Sequence, residues 1–174
     1  MVLSSGKRIS LLIVLFAHLN YANNGSELTI GFVGDVMLGR LVSEVLLKNS
    51  DYTYPWGNLL PLLKSTDFII ANLETTLALG GTKAVKVFNF KSHPANVEAL
   101  LQANIQVVNL ANNHILDFGQ QGLVEILATL DEVGIKHTGA GLTLQQAQTP
   151  ALINKKGIRC VSLVLLIMNH LVGN

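Results

Sequence analysis

The stretch LTIGFVGDVMLGR, residues 28–40, decides the fold. Its first part, residues 28–33, is apolar on both faces, as is typical of a buried parallel strand. Gly34 and Asp35 end that run, and Leu41, Val42, Val45 and Leu46 then repeat at helical spacing. A strand followed at once by an amphipathic helix predicts an α/β fold, with parallel strands joined by crossover helices.

The same alternation continues along the chain. Further strands are predicted at residues 67–71, 105–110 and 135–138. The predicted helices include an apolar stripe from Leu123 to Val133 and a shorter element at residues 56–63. A third helix is predicted with Ser92 as its cap, Pro94 in its first turn and an end near Asn104. The turn Asn154-Lys155-Lys156-Gly157 lies between two apolar runs and predicts a hairpin.

The first residues indicate export. Lys7 and Arg8 precede an uncharged apolar run at residues 9–17, and a small residue, Ala22, follows a polar stretch. This is the layout of a secretory signal peptide, and the run is shorter than the roughly 20 residues of a membrane-spanning helix. We therefore predict a signal peptide, or an uncleaved membrane anchor, at residues 1–26. The protein would be periplasmic, extracellular or anchored facing outward.

Bulk composition limits the remaining function classes. Residues 27–174 are enough for one domain rather than two. The formal net charge of +1 gives no general electrostatic basis for binding nucleic acid. Cys160 is the only cysteine and lies in the apolar run at residues 157–168, so we interpret it as a small core residue.

Polar side chains follow the predicted strands. Asp35 follows the first strand, Glu74 the second, and Asn113 and His114 the third, while Gly139-Ala140-Gly141 follows the fourth. Ligands of open parallel sheets bind beyond the carboxyl ends of the strands, so these side chains are predicted to share one cleft. Carboxylate, amide and imidazole groups suit manganese, zinc, iron or magnesium. Such an ion activates water, while a nearby imidazole donates a proton to the leaving group.

The motifs GDVMLGR, ANLE, LANNHILDFG and GAG resemble, in this order, those of the bacterial CapA (PGA_cap) capsule synthesis proteins. The resemblance covers about residues 28–166. It implies a calcineurin-like metallophosphatase fold, a layered αββα sandwich, and a role in producing poly-γ-glutamate capsule. The His-Trp-Gly and Gly-His-x-Pro-His motifs with which the family supplies further metal ligands do not occur. We therefore expect residues 27–174 to be the N-terminal portion of the domain, with a sheet edge left without partners.

Site roles follow from the same resemblance, motif by motif. Asp35 resembles a metal-binding aspartate and Glu74 an acidic metal ligand. In the pair that follows, the amide of Asn113 would bind metal and the imidazole of His114 would act on the substrate. Four further residues would support these ligands or form the turns: Arg40, Asn72, Asn112 and Asp117.

Simpler structural interpretations stand beside these roles. Asp35 and Asp117 could cap the helices that follow them, and for Asp117 we favour the cap. Glu74 taken alone is typical of an exposed loop, and the two asparagines before His114 of a turn. Trp56, with Tyr52 and Tyr54, fits either a substrate cleft or a satellite hydrophobic cluster, and the cluster is the more usual.

Three functions remain open on the sequence. The first is a capsule or polyglutamate biosynthesis protein with a metal-dependent hydrolase site, acting on an anionic polymer or a phosphorylated substrate. The second is a non-catalytic scaffold or polymer-export subunit of the same fold, associated with membrane-bound capsule-synthesis subunits. The third is a nucleotide-binding module that uses Gly139 and Gly141, although Leu144 replaces the third glycine of that motif.

Overall fold

The structure, a computed structural model, describes residues 27–164 and the backbone of Leu15–Leu19. Its strands are β1 (Leu15–Leu19), β2 (Leu28–Val36), β3 (Phe68–Leu73), β4 (Thr76–Leu77), β5 (Lys91–Ser92), β6 (Ile105–Asn109), β7 (Lys136–Thr138), β8 (Ala151–Lys155) and β9 (Ile158–Ser162). Its α-helices are α1 (Leu41–Asn49), α2 (Leu60–Lys64), α3 (Glu98–Gln102), α4 (Gly119–Glu132) and α5 (Leu144–Ala147).

A mostly parallel sheet forms the centre of the described fold. Its order is β1-β2-β3-β6-β7; β2, β3, β6 and β7 run parallel, and β1 pairs antiparallel with β2. The predicted α/β class is therefore confirmed, and the predicted strands agree with β2, β3, β6 and β7 to within a few residues. β2 extends beyond its predicted end because Asp35 and Val36 still pair with Asn72 and Leu73.

One predicted helix start is wrong. Ser92 does not cap a helix: it lies buried in β5, where its Oγ accepts a hydrogen bond from Asn96 Nδ2 at 2.8 Å. The cap is His93, whose Nδ1 accepts from the backbone N–H of Ala95. A 3-10 turn at Pro94–Val97 then leads into α3. An imidazole nitrogen thus fills the position that a hydroxyl was expected to take.

Both faces of the sheet are buried. On one face, helices α1, α3 and α4 cover a core that includes Leu46, Ile69, Leu100 and Ile126, each essentially inaccessible to solvent. On the other face, the hairpin of β8 and β9 covers a smaller cluster around Phe68. This two-sided burial explains why the predicted strands are apolar without alternation.

The hairpin is fixed to the sheet through Asp67, which immediately precedes β3. Its carboxylate accepts from the backbone N–H of Thr29 at 2.9 Å and pairs with Lys156 Nζ at 2.8 Å. Lys156 lies in the predicted turn, which is confirmed. Cys160 of β9 packs partly buried against the Phe68 cluster, and this burial raises the pKa of its thiol.

The export prediction falls mainly outside the described residues. None of the described helices is long and apolar enough to cross a lipid bilayer. Residues 1–14 and 20–26 are not described, so the signal peptide or anchor at residues 1–26 stays a prediction.

We expect Phe68→Ala to lower the free energy of unfolding by about 3–5 kcal/mol, because it removes a fully buried ring from the face that the hairpin covers. Urea unfolding measures this change. The matched control is Phe88→Ala, since Phe88 is 57% exposed, and a loss within about 0.5 kcal/mol is expected there. Equal losses in the two variants would contradict the proposed packing.

We expect acid to weaken the attachment of the hairpin. The hydrogen bond from Lys156, and then that from the Thr29 N–H, hold the pKa of the Asp67 carboxyl below its usual value. A carboxyl with a lowered folded-state pKa stabilises the fold above its unfolded pKa of about 3.9, and this stabilisation is lost as pH falls through the folded value. Asp67→Asn should therefore flatten the pH dependence of unfolding below about pH 4, as measured by urea unfolding at several pH values.

Candidate metal and catalytic site

The register of the parallel strands places polar residues side by side at the carboxyl end of the sheet. Asp35 of β2 pairs with Asn72 of β3, Asn72 with Asn109 of β6, and Asn109 with Thr138 of β7. The predicted convergence of the strand ends is thereby explained, because four consecutive strands end at the same level.

The Asn72 amide connects the polar groups at this edge. Its Nδ2 donates to Asp35 Oδ1 at 2.8 Å and to Glu74 Oε1 at 3.2 Å. Its Oδ1 accepts from Asn109 Nδ2 at 2.8 Å and from Asn112 Nδ2 at 3.2 Å. The sequence indicated Asn72 only as a supporting residue, whereas the structure places it between both predicted acidic ligands.

Asn112 extends this network into the turn that carries His114. Its Nδ2 also donates to the backbone carbonyl of Leu73 at 2.9 Å, and its Oδ1 accepts from the backbone N–H of His114 at 3.0 Å. Asn112 is buried, so these bonds form away from bulk water and fix its amide orientation. The same hydrogen bonds of Asn112 therefore form the turn and connect it to the site.

His114 is held by a buried carboxylate. Its ring is 8% exposed, and Nδ1 lies 2.9 Å from Oδ2 of Asp117, which is fully buried. Nδ1 also lies 3.4 Å from Lys86 Nζ, but the Asp117 oxygen is nearer and an ionised carboxylate can only accept, so we assign the proton to Nδ1. This tautomer leaves Nε2 as the ring nitrogen that is available to a substrate or an ion. The Phe90 ring, 4.4 Å away between centroids, packs against the imidazole.

The favoured role of Asp117 as a helix cap is wrong. Helix α4 begins after Phe118, and no side chain caps it. Asp117 instead accepts from the backbone N–H of Phe90 at 2.6 Å, contacts His114 and forms an ion pair with Lys86. A buried carboxylate requires such partners, and these three interactions supply them.

Two residues of this site were missed by the sequence analysis. Lys86 Nζ donates to the backbone carbonyl of Asn113 at 2.7 Å and pairs with Asp117, but it lies in a loop without any periodic pattern that would have identified it. Asn109, by contrast, ends an apolar strand with a polar side chain. A polar residue at the end of an apolar strand is the same sequence signal that identified Asp35, so Asn109 could have been found in this way.

The structure does not bring two predicted residues into this network. Asn113 is exposed, and its contact with Lys86 is made through its backbone carbonyl rather than its amide. Arg40 is also exposed, has φ of 56°, and its carbonyl accepts from the backbone N–H of Glu44 in the first turn of α1. Arg40 therefore forms the turn before α1, and the metal role of Asn113 stays a prediction.

The chemistry of the acidic pair fits a hard divalent cation. Asp35 and Glu74 present oxygen ligands that share a single amide donor, so their negative charge is only partly compensated. Within the described residues, no group of three or more His, Cys, Asp or Glu side chains is arranged to hold a metal. Magnesium commonly uses one or two carboxylates and completes its coordination with water and substrate. The divalent metal stays a prediction, and two carboxylates fit the ligands that magnesium or manganese prefers.

The glycines after β7 serve packing. A Cβ on Gly139, whose φ is 89°, would lie 2.5 Å from the Cβ of Ala111. In the following loop, Gln146 Oε1 accepts from the backbone N–H groups of Leu142 and Thr143 at 2.8 and 3.2 Å. Those donors are engaged within the protein, which argues against the nucleotide-binding hypothesis.

The aromatic residues divide between core and surface. Trp56 and Tyr52 pack against the main core, and Trp56 Nε1 donates to the backbone carbonyl of Ala99 at 2.7 Å. Tyr54 is 58% exposed. Trp56 and Tyr52 therefore belong to the main core rather than to a satellite cluster, and Trp56 also lines a cavity beside Asp35.

The fold and site together define a mixed α/β protein that gathers carboxylate, amide and imidazole groups at the carboxyl edge of a mostly parallel sheet. The sequence matches the bacterial capsule synthesis protein PGA_cap family over residues 29–168. The chain belongs to this family, which has a metallophosphoesterase-like fold. The resemblance found in the motifs is thus confirmed.

Curated relatives agree with this assignment. The chain is 36% identical to a "probable polyglutamine synthesis accessory protein" of Mycobacterium tuberculosis, in a match covering 76% of this chain and 43% of the relative. It is 30% identical to the capsule biosynthesis protein CapA of Bacillus anthracis (79% and 34%) and 31% identical to the PGA biosynthesis protein CapA of Bacillus subtilis (70% and 32%). The chain thus spans less than half the length of these relatives.

We expect Asn72→Asp to lower the free energy of unfolding at pH 7 by about 1–3 kcal/mol, because it replaces the shared donor by a third carboxylate. The loss should shrink as the solution is acidified and the carboxylates become protonated. Chemical denaturation at several pH values measures both effects. Asn58→Asp, at an exposed position, is the matched control, and an equal effect there would exclude the network as the cause.

Proposed function

We propose that this protein takes part in capsule or poly-γ-glutamate biosynthesis, and that the carboxyl edge of its sheet is a metal-dependent hydrolase site. The names of its relatives support the process, and the arrangement of Asp35, Glu74 and His114 supports the chemistry. The observation that carries the proposal is one hydrogen-bond network. It runs from the acidic pair through Asn72 and Asn112 to the backbone of His114.

Asp35 and Glu74 are the residues that would hold the divalent metal, manganese or magnesium by preference. The bound ion would supply a Lewis acid that neutralises charge on a phosphoryl or acyl oxygen and lowers the pKa of water. Amide oxygens, including that of Asn113 after a change of side-chain rotamer, are candidates for further ligands. The Asn72 amide fixes the directions of both carboxylates, in the way that supporting hydrogen bonds orient metal ligands.

His114 is the proposed proton donor. Its Nδ1–H is directed to Asp117, so Nε2 faces away from that carboxylate and can carry a proton to a leaving-group oxygen. Asp117 stabilises the charged imidazolium, and Lys86 balances the charge of Asp117. The Phe90 ring restricts rotation of the imidazole and limits access of water to it. We therefore assign positioning roles to Asp117, Lys86 and Phe90.

Partners and location complete the proposal. A site that combines a cation with an acid suits an anionic polymer or a phosphorylated substrate. The apolar run at residues 9–17 supports an exported protein that meets membrane-bound synthesis subunits outside the cytoplasm. Cleavage of this segment can be measured from the N-terminus of the secreted protein.

A non-catalytic scaffold of the same fold is the second candidate. Asn113, a predicted metal ligand, is exposed and lies outside the network. Asp35 and Glu74 are then the predicted metal ligands that the network holds, which favours this candidate. The two candidates predict different metal content and different effects of changing His114.

We expect the purified protein to bind one manganese ion per chain, and Asp35→Ala and Glu74→Ala each to abolish that binding. Either variant removes half of the acidic donor set. Inductively coupled plasma mass spectrometry after dialysis measures the metal. Glu132→Gln is the control, because Glu132 is exposed on α4 and should leave binding unchanged.

We expect His114→Ala to retain manganese and to lose turnover of a generic phosphodiester by about 100-fold or more, the usual contribution of a general acid. Hydrolysis of bis(p-nitrophenyl) phosphate with added manganese measures this effect. His137→Ala is the control, because His137 lies half-buried in β7 beside Asp131. Metal binding without turnover in the unaltered chain would support the scaffold instead.

A further inference from the structure

A cavity of about 220 Å³ opens beside Asp35. One wall is the backbone and side chains of residues 33–38, at the end of β2 and in the turn that follows it. The rest of the lining comes from Pro55, Trp56 and three leucines in and just before α2. Among the described residues that line it, Asp35 is the only ionisable one, and the others are apolar or glycine.

The walls of this cavity are fixed by the core. Leu38 and Leu63 are buried, at 1% and 7% exposure, and the backbone N–H of Leu38 donates to Thr75 Oγ1 at 3.0 Å. Trp56 is held by its hydrogen bond to the carbonyl of Ala99. Cavities of this kind persist because neighbouring side chains are locked in place and cannot collapse into the space.

Beside Asp35, the lining includes three exposed apolar residues, which form the rim of the cavity. Met37, Leu59 and Leu62 remain 39%, 49% and 46% exposed. An apolar group that covers these residues removes their surface from water, which favours binding. The cavity is therefore suited to an apolar group rather than to a second charged one.

We propose that this cavity binds an apolar, ring-sized portion of the substrate, whose phosphoryl or acyl group lies at Asp35 and Glu74. The proposal rests on the proposed function, because Asp35 both lines the cavity and belongs to the acidic pair. The size is appropriate, since an apolar cavity of roughly 150 Å³ already binds benzene. The substrate class is thus an amphipathic ester or amide, with an apolar group next to the bond that is cleaved.

Trp56 provides a direct reporter of occupancy. It is the only tryptophan in the chain and lines the cavity, so its fluorescence can be excited selectively. The first probe is benzyl alcohol, which carries a ring and no charge, titrated without metal. We expect a saturable change in Trp56 emission, with an affinity at least about fivefold weaker in Leu62→Gln, which places an amide at the rim.

Leu47→Gln is the matched control, because Leu47 is 41% exposed on α1 and does not line this cavity. It should bind benzyl alcohol as the unaltered protein does. Circular dichroism melting confirms that both variants are folded. If Leu62→Gln unfolds, Met37→Gln tests a second exposed apolar residue of the same lining.

A second experiment tests whether one ligand can occupy both the cavity and the acidic pair. With manganese present, calorimetric titration should show phenyl phosphate binding about tenfold or more tightly than methyl phosphate, because only the former places a ring in the cavity. Leu62→Gln should reduce this preference to near unity, and Leu47→Gln should preserve it.

The outcomes separate this inference from the proposed function. Saturable benzyl alcohol binding that Leu62→Gln weakens supports the cavity even if no metal binds or no ester is hydrolysed. No saturable binding, or equal loss in Leu62→Gln and Leu47→Gln, overturns it. Such a result is expected if a segment outside the described residues, or a partner protein, occupies the cavity.

Discussion

The parallel register between β2, β3 and β6 is the constraint on which the site depends. It sets Asp35, Asn72 and Asn109 side by side, so that three strands deliver polar groups to one level of the sheet. Each strand is also held by a face of apolar side chains on either side. Because a slip by one residue would turn every side chain to the opposite face, the burial that stabilises the sheet also fixes the site.

The Asn72 amide links the polar groups that this register places side by side. Its nitrogen is shared by two carboxylates and its oxygen by two other amides, so all four hydrogen-bonding directions have a partner. An amide is suited to this position because it both donates and accepts without adding charge. The network therefore orients Asp35 and Glu74 while leaving their negative charge available to a cation.

The sequence predicted the parts of the site that depend on strand order. Asp35, Glu74 and His114 follow apolar runs, and the carboxyl ends of parallel strands meet, so their convergence was predictable. The roles of Asn72 and Asp117 were not, because a hydrogen-bond partner depends on side-chain direction rather than on position. Asp117 matches a helix cap in sequence, yet the chain turns one residue further at Phe118 and directs its carboxylate inward. Lys86 reaches the site from a loop, and a loop has no periodic sequence pattern from which its contacts could be predicted.

Neutral amides join the two charged parts of the site, because Asn72 and Asn112 link the acidic pair to the backbone of His114. The acidic pair lies at one end of the network, and the His114, Asp117 and Lys86 cluster lies at the other, with two asparagines between them. A charged side chain in place of either asparagine would have attracted or repelled the charged residues on both sides of it. The amides fix the positions of these groups without adding charge, so the network orients Asp35 and Glu74 without neutralising them. In the proposed function, a cation held by these carboxylates would polarise one oxygen of the substrate while His114 protonates another.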